Sequence, residues 1–163
     1  MYLLDANILI RAKNDYYDFN VCPGSWKWLI EANGRGVVGS IDAVRDELIA
    51  GVDELSDWAG DNKSFFLPLT SEVVHCIGDV NEWAAASLDY DPAAKSEFAS
   101  VADSSLVGHA KQGGHTIVTH EVVSNSRKRI KIPNAAAAHD VKVISPFLML
   151  RTERARFVLG VAS

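Results

Sequence analysis

The chain has 163 residues, of which 48% are hydrophobic and 23% charged, as is typical of a soluble globular protein with one domain. Its net charge of −5 argues against a protein that coats nucleic acid by bulk electrostatics, although a local basic patch or a bound metal could still contact phosphate. No segment approaches the roughly 20 apolar residues of a membrane span. An acidic residue at position 5 argues against a signal peptide. We therefore expect a cytoplasmic protein with no membrane contact.

Hydrophobic runs and turn residues predict alternating strands and helices. The first third has a predicted strand at 2–4, a helix opening at Asn7, a helix from an N-cap at Ser25 to residue 31, a strand at 37–40, and helices at 41–49 and 53–62. The next third has an extended piece at 65–67 and helices at 71–87, 93–99 and 101–111. The last third has strands at 115–119 and 141–144, a helix at 133–139 between them, and a terminal helix from Pro146.

This alternation predicts an α/β fold, in which a mostly parallel sheet is covered by helices on both faces. The expected architecture is a three-layer α/β/α sandwich. Because the sequence contains no repeat, linker or low-complexity tract, we expect residues 1–163 to form a single domain.

Four acidic residues lie where predicted strands and helices meet: Asp5, Glu47, Asp103 and Glu121. Carboxylates at the carboxyl ends of parallel strands and in the following helices can converge on one crevice of an open sheet. Converging carboxylates repel one another unless a divalent cation holds them. The simplest interpretation is a metal-dependent phosphodiesterase.

Two polar residues accompany these acids. Asn7 follows Asp5 by two positions, which in an extended segment would put both side chains on one face. Thr119 ends the predicted strand just before Glu121. A set of oxygen donors that leaves coordination positions open suits Mg²⁺, which prefers oxygen and retains several waters. Such a site can orient water for attack on a phosphodiester without any His or Cys ligand.

The densest basic run is Arg127, Lys128 and Arg129, with Lys131 close behind. One interpretation is a solvated loop. The other places these side chains beside the acidic crevice, where they would bind RNA phosphates.

The order of these motifs resembles the PIN domain, a family that includes the VapC-type toxins of toxin–antitoxin pairs. The shared pattern is D-x-N after the first strand, E-L in the third helix, A-D-S-S-L-V in a later helix, and T-x-E after the following strand. The resemblance covers the chain to about residue 144, and the extra length at about 53–100 is similar to a helical insertion in a longer branch.

This resemblance implies a Mg²⁺- or Mn²⁺-dependent ribonuclease, the toxin of a type II toxin–antitoxin pair. Asp5, Glu47 and Asp103 match the family's three firmest acidic positions, and Asn7 and Thr119 match supporting polar ones. Glu121 stands where the family more usually has aspartate. The expected partners are an RNA substrate, a cognate antitoxin protein and a second copy of the chain in a homodimer.

Two other functions stay open. A PIN-like module that binds RNA or protein without cleaving is compatible with the glutamate at position 121. A haloacid-dehalogenase-type phosphatase also has an aspartate after its first strand, but it usually has a second acid where Asn7 stands, followed by Gly-Thr.

Overall fold

A five-stranded parallel sheet forms the centre of the protein in the computed structural model, which describes residues 1–158. The strands are β1 (Tyr2–Leu4), β2 (Val38–Ile41), β3 (Phe66–Leu67), β4 (Thr116–Val118) and β5 (Val143–Ile144). Their spatial order is β3-β2-β1-β4-β5, and every neighbouring pair is parallel. The predicted three-layer α/β/α class is therefore confirmed.

Nine α-helices flank this sheet within residues 1–158. They are α1 (Ala6–Arg11), α2 (Pro23–Gly34), α3 (Asp42–Ile49), α4 (Glu54–Asp61), α5 (Ser71–Ala86), α6 (Pro92–Ser100), α7 (Ala102–Gly113), α8 (Ile132–Ala138) and α9 (Pro146–Thr152). A π-helical turn, Ala12–Tyr16, continues α1, and a 3-10 turn, Lys63–Phe65, precedes β3. Residues 159–163, the end of the predicted single domain, lie outside the described part of the chain.

The central strands are mostly apolar because both faces of the sheet are covered. Leu3, Leu4, Val38, Ile117 and Val118 are fully buried in one continuous core. α7 packs against β2, β4 and the neighbouring helices α3 and α5. It ends at Gly114, whose left-handed backbone (φ 62°) terminates the helix.

The topology fixes where a site can form. The chain runs outward from β1 through β2 to β3, then returns to place β4 on the other side of β1. Connections on the two sides of this point leave in opposite directions, and in open α/β sheets the crevice beyond the strand ends at such a point is where ligands bind. Asp5 follows β1 and Thr119 follows β4, so both lie at this switch point.

The segment at about 53–100 provides more than helices. It contains α4, α5 and α6, and it also supplies β3, an edge strand that pairs with β2 at Ser40↔Phe66. Its α5 packs along α7.

Two local predictions are wrong. Ser25 is not an N-cap, because Pro23 at the first helical position starts α2 earlier; Ser25 instead lies in the first turn, where its hydroxyl donates to the Cys22 carbonyl at 2.8 Å. Asp5 and Asn7 do not share an extended segment. Asp5 is the extended N-cap of α1 and Asn7 lies inside that helix, so Asp5 is buried and Asn7 is exposed.

Within residues 1–158, none of the helices combines the length and the apolar composition needed to cross a bilayer.

Candidate functional site

Asp5 is a buried carboxylate at the centre of the sheet edge. Its side chain is on a residue only 3% exposed, and its backbone N–H donates to the Val118 carbonyl at 3.1 Å, extending the pairing of β1 with β4. The hydroxyl of Thr119 donates to Asp5 Oδ2 at 2.9 Å. Burying a charge requires such partners, because water no longer solvates it. The structure thus brings together two residues that are 114 positions apart.

A cleft of about 160 Å³ opens beside Asp5. We call it the acidic cleft and define it by its polar lining residues. These are Asp5, Asn7, Glu47, Glu97, Asp103 and Arg129. Four of the six predicted catalytic residues therefore line one cleft. A fifth, Thr119, does not line the cleft but donates a hydrogen bond to Asp5.

Glu47 joins α3 to α7 at the cleft. Its Oε1 accepts a hydrogen bond from the backbone N–H of Ala102 at 3.0 Å, at the start of α7. The first N–H groups of a helix have no partner inside that helix, so a carboxylate is favoured at this position. This contact anchors the first turn of α7, which carries Asp103.

The electrostatics of the cleft favour protonation of two acids. Burial raises the pKa of Asp5 to about 6; the Thr119 hydrogen bond opposes this, and the charge of Glu121 adds to it. Burial and then the charge of Asp5 raise the pKa of Asp103 to about 7, while Arg129 opposes the rise. Each pKa is raised because the ionised carboxylate has too little solvent or positive charge around it to stabilise it.

Glu121 lies three residues beyond β4 and does not line the cleft. Its Oε1 accepts from Lys131 Nζ at 2.9 Å, and its Oε2 accepts from the backbone N–H of Ile132 at 2.8 Å. Its own N–H donates to Thr119 Oγ1 at 3.1 Å. Both oxygens of Glu121 are therefore already bound by protein donors. It remains close enough to Asp5 and Asp103 to raise the pKa of both.

The predicted RNA-binding run divides into separate environments. Arg127 lies 3.5 Å from Asp91 Oδ1 and donates to the Leu88 carbonyl at 3.1 Å. Lys128 is exposed. Arg129 lines the acidic cleft, and Lys131 contacts Glu121.

The sequence did not point to Glu97. It lies in α6, within the segment at 53–100, and that segment offered no motif that placed it near the sheet edge. Its spacing from the buried Ala94 and Phe98 was the available signal, because neighbours at three and one positions put Glu97 beside a face that packs on the core.

The donors in the cleft have the chemistry that Mg²⁺ or Mn²⁺ requires. Carboxylate and amide oxygens are the preferred ligands of these ions, and a cation would offset the burial and the neighbouring charges that raise the pKa of Asp5 and Asp103. As they stand, no three His, Cys, Asp or Glu side chains among residues 1–158 form a group that could hold a metal ion.

Comparison with known proteins gives a family but no activity. A family model described as a domain of unknown function, DUF4411, matches residues 2–157. No curated protein and no solved structure matches the chain significantly.

Proposed function

This chain belongs to the DUF4411 family, a domain of unknown function, and we propose from the chemistry of its acidic cleft that it is a Mg²⁺- or Mn²⁺-dependent ribonuclease. The observation that carries the proposal is the pair Asp5 and Asp103. They line one cleft at the topological switch point, burial raises the pKa of both, and the charge of Asp5 further raises the pKa of Asp103. Two desolvated acids placed together destabilise the fold, and groups with strongly raised pKa values in a cleft are typical of functional sites.

The residues that would hold the cation are Asp5, Glu47 and Asp103, with the Asn7 amide as a further oxygen donor. When bound, the ion supplies a Lewis acid that polarises the phosphodiester and activates water. Thr119 fixes the orientation of one Asp5 oxygen through its 2.9 Å hydrogen bond. Arg129 lends positive charge to a cleft that would otherwise repel a phosphate. The buried side of the cleft excludes water from Asp5 and so strengthens each of these interactions.

The resemblance to VapC-type PIN domains extends the proposal. The protein would act in the cytoplasm as the toxin of a type II toxin–antitoxin pair, with an antitoxin protein as its partner and a homodimer as its assembly. A small DNA-binding protein encoded immediately upstream would support this role. Growth arrest on expression, relieved by co-expressing that neighbour, is the direct test.

Cleavage of a mixed-sequence single-stranded RNA tests the enzymatic proposal. We expect cleavage with Mn²⁺ or Mg²⁺ and none with EDTA. Asp5→Ala and Asp103→Ala should each lower the rate by at least about a hundredfold, Glu47→Ala nearly as much, and Glu121→Ala less. Asp46→Ala is the matched control, because Asp46 is an exposed acid next to Glu47 that does not line the cleft. Full activity in Asp5→Ala would overturn the proposal.

A second function has support from one observation: both oxygens of Glu121 are bound by protein donors. A module that binds RNA without cleaving it would show RNA affinity but no metal-dependent product in the same assay. Hydrolysis of a generic phosphomonoester, without RNA cleavage, would instead indicate the phosphatase.

A further inference from the structure

Glu121 is contacted by several residues of the segment that follows β4. Its side chain is 10% exposed, and three groups surround it: Lys131 Nζ at 2.9 Å, the Ile132 N–H at 2.8 Å, and Arg129 Nη2 at 3.4 Å from Oε1. A carboxylate that is already paired with two cations and a backbone donor gains little from a further cation. Its geometry is that of an anchor for the residues at 129–132.

Arg129 is the member of this group that reaches the acidic cleft. Its side chain is 49% exposed, and it lines the cleft together with Asp5 and Asp103. A guanidinium has five N–H donors in a rigid fork, so contact with one carboxylate at 3.4 Å leaves most of them available. The geometry of such a fork matches phosphate as well as carboxylate, so an RNA phosphate can be bound through two parallel hydrogen bonds.

The other basic residues of the run are placed differently. Arg127 holds its loop to the connection before α6: its side chain contacts Asp91 and Leu88, and its carbonyl accepts from the Asp91 N–H at 2.9 Å. Lys128 is exposed and does not line the cleft. Among the four, Arg129 alone combines access to the cleft with contact to Glu121.

We propose that Glu121 is a positioning residue: it holds Arg129 at the rim of the acidic cleft, where Arg129 binds an RNA phosphate, and it does not ligate the metal ion. This inference rests on the proposed ribonuclease function and assigns separate roles within that site. Asp5, Glu47 and Asp103 would bind the cation, whereas Glu121 would contribute to RNA binding by positioning Arg129. The glutamate arm matters here, because it spans from the end of β4 to both Lys131 and the start of α8.

The first measurement is RNA affinity in an Asp5→Asn background, which prevents cleavage. A fluorescent mixed-sequence single-stranded RNA serves as the probe, titrated at several salt concentrations. Arg129→Ala should weaken binding by about threefold to tenfold and lower the salt slope by about 0.7, the value of one phosphate contact on a single strand. Lys128→Ala is the matched control, since it removes the same charge from the same segment, and it should change affinity less.

Glu121→Gln should weaken RNA binding toward the level of Arg129→Ala, because the neutral amide no longer pairs with Arg129. The Glu121→Gln, Arg129→Ala double variant should bind no worse than Arg129→Ala alone, since both substitutions remove one interaction. Glu121→Asp provides a second variant with the charge retained. Its shorter arm cannot span both contacts, so it too should weaken RNA binding.

The second measurement is Mn²⁺ affinity by calorimetric titration of otherwise unaltered protein, without RNA. Asp103→Asn should weaken Mn²⁺ binding by more than about tenfold. Glu121→Gln and Glu121→Asp should change it by less than about twofold. A merely structural role for Glu121 would lower RNA and Mn²⁺ affinity together, so the separation of the two readouts is the signature of positioning.

Three results overturn the inference. If Glu121→Gln loses as much Mn²⁺ affinity as Asp103→Asn, Glu121 is a metal ligand. If the double variant binds RNA more weakly than either single variant by the product of their effects, Glu121 does not act through Arg129. If the chain without substitutions binds neither Mn²⁺ nor RNA, the proposed function fails first and the positioning role fails with it.

Discussion

At the scale of single residues, the site depends on a short hydrogen-bonded series behind Asp5. The Glu121 N–H donates to Thr119 Oγ1 at 3.1 Å, and the Thr119 hydroxyl donates to Asp5 Oδ2 at 2.9 Å. Thr119 uses its single donor on the carboxylate and keeps a lone pair for the amide. One hydroxyl therefore links the backbone of Glu121 to the buried carboxylate of Asp5.

Thr119→Val removes this hydroxyl while keeping the shape of the side chain. We expect the free energy of unfolding at pH 8 to fall by about 1–3 kcal/mol, because a buried carboxylate and a backbone N–H both lose their partner. Urea unfolding measures the change. Thr116→Val on the same strand is the control, since no side-chain hydrogen bond of Thr116 is described; an equal loss there would contradict the role of the Thr119 hydroxyl.

The raised pKa values predict a pH dependence of stability. Folding raises the pKa of Asp103 from an ordinary value of 3.8 to about 7. A carboxyl of this kind favours the folded state when protonated, so its contribution is present at low pH and is lost as pH rises through the folded value. We therefore compare how far the free energy of unfolding falls between pH 5 and pH 8 in the absence of metal. In the unsubstituted protein it should fall by about 2–3 kcal/mol more than in Asp103→Asn.

The effect of Asp103 is seen in the difference between these two proteins, because histidines also change the stability of each protein with pH. Burial lowers the pKa of His115, His120 and His139, and a lowered histidine pKa makes stability rise with pH up to about the ordinary value of 6.5. That trend has the opposite sign and is common to both proteins. If the free energy of unfolding changes with pH equally in the two proteins over this range, the pKa of Asp103 is not raised by folding.

Some of these site residues and contacts could be predicted from the sequence alone. Asp5 could be predicted because an acid that ends an apolar strand has few structural explanations. The partners of Glu121 could not, because Lys131 is ten positions away across an irregular segment, and no periodicity describes such a path. Glu97 was also missed, since its approach to the cleft depends on how α6 packs.

At the scale of elements, the contact of α5 with α7 sets the position of Asp103. The two helices approach so closely at Gly108 that an ideal Cβ there would lie 2.5 Å from Ile77 Cγ1 and 3.0 Å from Ile77 Cα. Backbone cannot move aside as a flexible side chain does. The segment at about 53–100 is thereby held tightly against the helix that carries Asp103.

Gly108→Ala should therefore destabilise the protein, by about 1–3 kcal/mol, through overpacking. Gly78→Ala in α5 is the matched control, because nothing lies within 4 Å of its ideal Cβ. There the gain in helix propensity should stabilise by up to about 1 kcal/mol. Thermal unfolding of both variants gives the signs directly, and a stabilised Gly108→Ala would contradict the close packing described.

Element types were largely predictable, and their boundaries less so. Apolar runs predicted the strands, and Gly or Pro marked the ends of several helices, because the backbone preferences of those residues are local. The start of α2 was misplaced because Pro23 outweighed the capping preference of Ser25. That β3, with only two residues, joins the sheet is a tertiary effect, set by pairing with β2 rather than by its own sequence.

At the scale of the whole molecule, an acidic chain concentrates carboxylates at one edge of its sheet. A divalent cation that binds the folded state alone must stabilise it by mass action. With free Mn²⁺ at about a hundred times its dissociation constant, the gain is about 2.7 kcal/mol, or a rise of about 5–10 °C in melting temperature.

Asp5→Asn should abolish most of this rise, whereas Asp46→Asn, at an exposed acid outside the cleft, should leave it intact. Differential scanning calorimetry with Mn²⁺ and with EDTA provides the comparison. Equal melting temperatures in the two conditions for the unsubstituted protein would count against a metal site.

The architecture has a consequence for when the protein becomes competent during translation. β1 is made first and occupies the middle of the sheet, yet β4 closes beside it only after most of the chain has been synthesised. A nascent chain can assemble β3-β2-β1 but has no neighbour on the other side of β1 and no Thr119 behind Asp5. Long-range parallel pairing of this kind forms late and slowly. The hydrogen bond between Thr119 and Asp5 is therefore completed only after about three quarters of the chain has been made.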